Sequence, residues 1–476
     1  MIFNSIPFFF FFIIVSIVYH ILPSRFKWIP LLAASCYFYM AFVPIYILIL
    51  GFTIVVDYFV GIFLENENFI KYKKSILYCS IAVNVGVLVF YKYFNFVNFD
   101  ITRLLGLFHI NNPIRALNII LPIGLSFHTF QAMSYTIEVY KGRQKAERHF
   151  GIYALYVMFY PQLVAGPIER PQNIIHQLKT PPSFKEEDMV SGLKLMLWGF
   201  FKKLVVADRL ALVVNSIFDY SDIHNGTTIV IAAALFSIQI YCDFSGYSDI
   251  AIGAAKTMGI DLMTNFRRPY FSKSIGEFWT RWHISLSTWF KDYVYIPLGG
   301  NRVQKWKIYR NILIVFLISG LWHGANHTFI IWGGLHALFL IVGTQISPLF
   351  SRFENLEGVA KYVWTLIRIA FNFILVTLTW IFFRASSVSQ AFTMLKHLKS
   401  FGKAPFLGDS LSDFGHGAIA IIILFTAEFI VEFFPSIQTG LQSRSMVTRW
   451  GVIVLLTLAI MVMGALNGGQ FIYFQF

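Results

Sequence analysis

Long apolar runs separated by short basic loops set the pattern of this chain. Ile2–Leu22, Trp28–Phe42, Ile45–Phe63, Ile76–Phe90, Leu117–Tyr140 and Thr227–Cys242 are each nearly free of charge. Asn311–Val342, Trp364–Phe383, Ala418–Val431 and Val452–Met463 continue the series. A helix needs about 20 apolar residues to cross a bilayer. The pattern therefore predicts an all-α integral membrane protein of roughly ten to twelve spans with re-entrant or interfacial helices. Arg25 and Lys27, then Lys71, Lys73 and Lys74, then Lys141, Arg143, Lys145 and Arg148 fall in alternate loops. Such loops stay cytoplasmic, which puts the N-terminus outside. The first run has neither a basic n-region nor a small-residue cleavage site, and reads as a retained span.

Several stretches depart from plain spans. Tyr91–Asp100 is rich in Tyr, Phe and Asn, as an interfacial belt is, and Ile101–Arg115 reads as an amphipathic surface helix. Phe159–Pro171 is broken by Pro and Gly and suits a segment buried in protein, since exposed irregular backbone is not tolerated in lipid. Val190–Val206 has an apolar face and ends at Lys202 and Lys203, as a helix that lies on the interface or dips into it would. Asp243–Arg310 is the least membrane-like part, with Lys and Arg recurring throughout, and is expected at the cytoplasmic face. No polar stretch is long enough for a separate soluble module. One membrane domain over residues 1–476 is expected, with N-terminal spans in 1–150, a motif-bearing core in 151–345 and C-terminal spans in 346–476.

Composition agrees. The chain of 476 residues is 57% hydrophobic and 13% charged, against about 25% charged for a soluble domain. Mean hydropathy is +0.64. The net charge of +14 lies in loops beside spans, where it fixes topology and meets anionic headgroups; it does not read as nucleic-acid binding. Cys36, Cys79 and Cys242 match no metal spacing and imply no disulfide framework.

Candidate chemistry centres on Ile318-Ser-Gly-Leu-Trp-His-Gly-Ala-Asn-His-Thr-Phe-Ile-Ile-Trp-Gly-Gly-Leu-His336. Three histidines and an asparagine sit in an otherwise apolar run, and ionisable groups within lipid are functional candidates. A buried neutral imidazole is able to accept a proton, as a general base for a hydroxyl must. His323 is thus either such a base or a histidine hydrogen-bonded between helices, and Asn326 could orient it or a substrate carbonyl. If Arg310 marks the cytoplasmic boundary and Gly320 does not break the helix, His323 lies roughly 20 Å along it, past the midplane. His323 and His327 are spaced i, i+4, but no Glu base and no further ligand accompany them, so no metal is expected. In Glu277–Asp292, tryptophans recur at helical spacing around His283, which fits either an interfacial aromatic helix or a second site histidine. Asp243 and Asp249 read as helix caps or cation ligands, with structure favoured. Asp57 reads as a carboxylate hydrogen-bonded inside the bundle. No Gly-x-Ser-x-Gly elbow, Walker loop or dinucleotide fingerprint is present.

Arg281-Trp-His-Ile-Ser-Leu-Ser-Thr-Trp-Phe-Lys-Asp-Tyr-Val-Tyr-Ile-Pro-Leu-Gly-Gly300 and the run through Leu321-Trp-His-Gly-Ala-Asn-His327 closely resemble the membrane-bound O-acyltransferase superfamily. Tyr241-Cys-Asp-Phe-Ser-Gly-Tyr-Ser-Asp249, Val164-Ala-Gly-Pro-Ile-Glu-Arg-Pro171 and Thr379-Trp-Ile-Phe-Phe-Arg384 add to the likeness. The intact Arg281–Trp289 run and the Phe-Ile-Tyr-Phe-Gln-Phe476 ending resemble the bacterial alginate O-acetylation branch more than its D-alanyl transfer relatives. The resemblance implies a multi-pass protein of the bacterial cytoplasmic membrane with a funnel-like cavity. It implies His323 and His283 as catalytic residues, with Asn326, Trp322 and Trp282 expected to bind substrate. It further implies no bound cofactor, an acyl thioester such as acetyl-CoA as donor from the cytoplasm, extracytoplasmic acetyltransferase partners and a polysaccharide acceptor.

Overall fold

A computed structural model describes residues 1–119, 121–164, 166–353, 355–436, 446–465 and 471–472. These residues form helices joined by turns, and no strand occurs among them. In chain order the helices are α1 (Ile6–Ile21), α2 (Trp28–Met40), α3 (Ile47–Glu65), α4 (Lys73–Leu88), α5 (Phe94–Gly106), α6 (Leu125–Tyr140), α7 (Phe150–Met158), α8 (Tyr160–Leu163) and α9 (Pro171–Lys179). They continue with α10 (Glu186–Phe200), α11 (Asp208–Phe218), α12 (Gly226–Thr257), α13 (Ile275–Arg281), α14 (Ile284–Phe290), α15 (Lys305–His323), α16 (His327–Ile346), α17 (Gly358–Arg384), α18 (Val388–His397), α19 (Leu411–Phe433) and α20 (Met446–Met463). Six helical segments among the described residues are long and apolar enough to cross a bilayer: Pro44–Glu65, Glu67–Gly106, Gly226–Thr257, His327–Phe350, Gly358–Arg384 and Leu411–Phe433. The chain is a multi-pass, all-α membrane protein.

Residues pack as two compact units, one of 1–196 with 248–263 and one of 197–247 with 264–476. In the first, a polar cluster ties α3, α4 and α6 together. Asp57 is fully buried and accepts hydrogen bonds from Ser80 (2.6 Å) and Asn84 (2.8 Å). Helix α6 starts where Gly124 adopts φ +74°, and a Cβ there would lie 2.7 Å from the Leu163 carbonyl oxygen. In the second unit, α15 and α16 form an antiparallel hairpin at close range. A Cβ on Gly333 would lie 2.2 Å from the Phe316 carbonyl oxygen, and one on Gly320 would lie 2.3 Å from that of Phe329. Glycine alone permits this approach.

The structure corrects several expected boundaries. Ile76–Phe90, Tyr91–Asp100 and the first six residues of Ile101–Arg115 are not separate elements. They join into one helical run over Glu67–Gly106, carried through a π-turn at Val89–Tyr93. Leu117–Tyr140 is helical only from Leu125, because Pro122 and the left-handed Gly124 stop it. Helix α12 does not end at Cys242 but continues to Thr257, so Asp243 and Asp249 lie inside it and not at a cap. Lys202 and Lys203 do not reach an interface. They sit in a buried π-helical turn, Phe201–Ala207, which turns them inward. Lys202 donates to Ser245 (3.0 Å), and Lys203 pairs with Asp208 and Asp243, each at 2.6 Å. Burial alone would lower the Lys203 ammonium pKa, but the two carboxylates outweigh it and hold it above the ordinary value.

Candidate active site

The Asn311–Val342 run is broken, and the break makes the site. Helix α15 passes Gly320 intact and ends at His323. Gly324 follows in extended backbone, where any Cβ would meet the Phe329 ring at 2.0 Å. Asn326 then caps α16: its Oδ1 accepts from the Thr328 amide (3.1 Å) and its Nδ2 donates to the Ser386 carbonyl (3.0 Å). Both ends of the Asn326 amide are thus engaged in shaping the turn. The break also separates His323 from His327, so their i, i+4 spacing does not place them on one helix face.

His323 is buried. Its ring meets Trp322 (4.9 Å), Trp332 (5.0 Å) and Phe383 (5.3 Å) edge-on. As the last residue of α15 it sits at the negative end of the helix dipole. That position stabilises an imidazolium by about 0.3–1 kcal/mol, and more where partly buried.

His283 occupies the kink between α13 and α14, where it adopts φ +43°. That left-handed backbone is unfavourable for a residue with a Cβ and points to a constrained position. Its Nδ1 lies 3.1 Å from Asn265 Oδ1, which also accepts from the Ser285 hydroxyl at 2.9 Å. Since a carbonyl oxygen only accepts, Nδ1 carries the proton and Nε2 is the basic nitrogen. Burial pushes the His283 pKa down to about 3, so the imidazole stays neutral through the physiological range.

Trp322 connects the two histidines, at 6.0 Å from His283 and 4.9 Å from His323. His283, Trp322 and His323 therefore come together in the second unit. Trp282 lies beside them as core, packed on Trp380 (5.1 Å), Phe266 (5.1 Å) and Phe278 (5.4 Å).

His336 is accounted for differently. The Trp279 indole N–H donates to its Nδ1 (3.3 Å), which leaves the proton on Nε2, and Nε2 donates to Thr379 (2.9 Å). Thr379 in turn donates to the Val376 carbonyl (2.7 Å). Both ring nitrogens are committed, and the ring props Trp332 at 4.9 Å.

Sequence reasoning missed Asn265, Phe244 and the wall formed by Trp332 and Phe383. Phe244 packs edge-on against His283 at 4.5 Å. Of the Gln470–Phe476 ending, Phe471 and Ile472 are described and the rest lies outside the described residues. Phe471 packs on Tyr247 (4.4 Å) and Phe244 (5.7 Å), and the Ile472 amide donates to Asp243 (2.7 Å).

Residues 144–388, which carry both histidine motifs, match the membrane-bound O-acyltransferase family. The chain belongs to that family. It is an O-acyltransferase, as membership and the names of its relatives agree. Over 408 residues it is 36% identical to the probable alginate O-acetylase AlgI of Azotobacter vinelandii, covering 84% of this chain and 79% of that protein. Over 401 residues it is 36% identical to the peptidoglycan O-acetyltransferase of Helicobacter pylori, covering 77% and 72%. The teichoic acid D-alanyltransferase of Bacillus subtilis is 30% identical over 236 residues, covering 47% of this chain and 59% of its own. In this family member, His283 and the helix-ending His323 both pack against Trp322.

Proposed function

We propose that this protein is an O-acetyltransferase of the bacterial cytoplasmic membrane, moving acetyl groups from a cytoplasmic thioester donor for O-acetylation of a cell-surface or exported polysaccharide. Acetyl-CoA or another acyl thioester is the donor, used as substrate, and extracytoplasmic acetyltransferase partners carry the group to the polymer. His323 is the general base. It takes the proton of the attacking hydroxyl as that oxygen adds to the thioester carbonyl; the C–S bond then breaks, and the thiolate leaves with a proton returned by the imidazolium. His283 is the second catalytic histidine. Trp322, between the two rings, lines the acyl pocket, while Trp282 in the core behind it and Asn326 in the turn after His323 hold its shape for substrate. The observation that carries this reading is the convergence of His323 and His283 on Trp322 in a chain whose relatives include polysaccharide O-acetylases.

A second reading, D-alanyl transfer to teichoic acid from a carrier protein, draws on the likeness to the Bacillus subtilis enzyme. Mass spectrometry of esters released from the surface polymer, in a strain lacking the gene and in the same strain with the gene restored, separates the two. Acetate dependent on the gene supports the first; D-alanine moves the protein to the second. If no ester depends on the gene, both fail.

A further inference from the structure

The first unit contains a second buried polar site, away from the two motif histidines in sequence and unused by the chemistry above. A cavity there comprises about 200 Å³ of atom-free space, counting its open side. Phe127, Val157, Leu163, Pro167 and Ile168 make its apolar lining, and His128, Gln131 and Gln162 supply the polar groups. His128 is 2% exposed and Gln162 3% exposed.

The hydrogen bonding of these three side chains is unequal. Gln131 is fully committed: its Nε2 donates to the Tyr156 carbonyl (2.9 Å) and its Oε1 accepts from the Glu169 amide (3.2 Å). Gln162 is half committed. Its Nε2 donates to the same Tyr156 carbonyl at 2.8 Å. That acceptor fixes the amide orientation, because the amide oxygen could not occupy the same place. Gln162 Oε1 and both ring nitrogens of His128 have no partner among the described residues. Unsatisfied buried polar atoms are costly, and native proteins rarely keep three together without a ligand.

Local structure holds these groups in place. Gly166 returns the chain onto Gln162 so closely that a Cβ would lie 2.3 Å from the Gln162 Cα, and Gly124 abuts the Leu163 carbonyl. Gln162 is thus clamped from both sides of α8, and His128 projects from the first turn of α6.

We propose that this cavity binds a hydroxyl group, carried by an ordered water or by a small neutral alcohol. In its neutral form His128 offers one N–H donor and one acceptor nitrogen, and Gln162 adds an acceptor. A hydroxyl complements this set, because it donates through its hydrogen and accepts through its oxygen. An anion would face the Gln162 oxygen without a matching donor. Most of that volume is the open side, and a single water needs about 10–15 Å³ of room for its centre, so the enclosed part suits one hydroxyl-sized group and excludes a sugar chain or a whole acyl thioester.

The test uses the full-length protein in lipid nanodiscs. A cryo-EM map at a resolution that shows ordered waters should contain density within about 2.7–3.2 Å of both a His128 nitrogen and Gln162 Oε1. A compact peak, with no saturable rise in melting temperature on titration with glycerol or ethylene glycol, assigns water. An elongated peak with a saturable rise assigns the alcohol. His128→Phe and Gln162→Met should each lower the melting temperature, and the double variant should lower it no further than the worse single one, since both remove the same bridge. Side chains turned onto protein acceptors with no density between them would overturn the proposal, and so would single-variant shifts that simply add.

Discussion

Gly333→Ala should impair catalysis from a position that touches no substrate. The new methyl would sit 2.2 Å from the Phe316 carbonyl oxygen and 3.0 Å from its carbon, whereas ordinary contact begins near 3.4 Å. The obstacle is helix backbone, which cannot swing aside as a side chain can. Close-packed interiors have little slack, so α16 must move off α15 by about 1 Å. Overpacking of this kind costs about 1–3 kcal/mol. Trp332, the adjacent residue, packs on His323 at 5.0 Å, so the displacement passes directly to the proposed base. A misplacement of about 1 Å lowers rates by about 10²-fold. Purified wild-type and variant protein should be compared for acyl-transfer rate and for melting temperature. Gly343→Ala in the same helix is the control, because nothing lies within 4 Å of its Cβ position. It should retain wild-type activity and stability. Wild-type rates in Gly333→Ala, or equal losses in both variants, would refute the close-packing argument.

Three further substitutions probe neighbouring groups. Asn265→Ala removes the acceptor that fixes the His283 tautomer and should lower kcat with little change in KM, read by steady-state transfer assays. Lys203→Met leaves Asp208 and Asp243 buried without their cation; breaking such a pair costs about 3–5 kcal/mol, so the protein should melt several degrees lower or fail to accumulate in membranes. His336→Leu breaks the Trp279–His336–Thr379 chain and should lower both melting temperature and rate while leaving the pH profile of the residual activity unchanged.

Hydrophobic periodicity was sufficient for the class of fold, because lipid demands long apolar helices and leaves them visible. It failed where local backbone chemistry decides. Nothing in the pattern marks the π-turns at Val89–Tyr93 and Phe201–Ala207, which keep helices running past polar residues and turn Lys202 and Lys203 inward. Lysines were read as boundary markers, and their acidic partners lie elsewhere: Asp208 is near in sequence, but Asp243 is on α12. Pro122 and Gly124 were legible breakers that the apolar run around them obscured. At the site, His323, His283 and Trp322 were all named from motifs, and the structure brings them together. Gly320 was suspected of breaking α15, yet the break comes at Gly324, where the Phe329 ring forbids a side chain. Asn265 was missed since its only signal is three-dimensional: it stands eighteen residues before the histidine it holds.

If His323 withdraws the proton during acyl transfer, its removal slows that step. Membrane vesicles containing equal amounts of wild-type or His323→Ala protein can be given an isotopically labelled acetyl thioester, and transfer to a hydroxyl acceptor followed by mass spectrometry. General-base catalysis contributes about 10²–10⁴-fold, so the variant should be slower by at least that lower bound. Transfer by the variant at the wild-type rate would contradict the role assigned to His323.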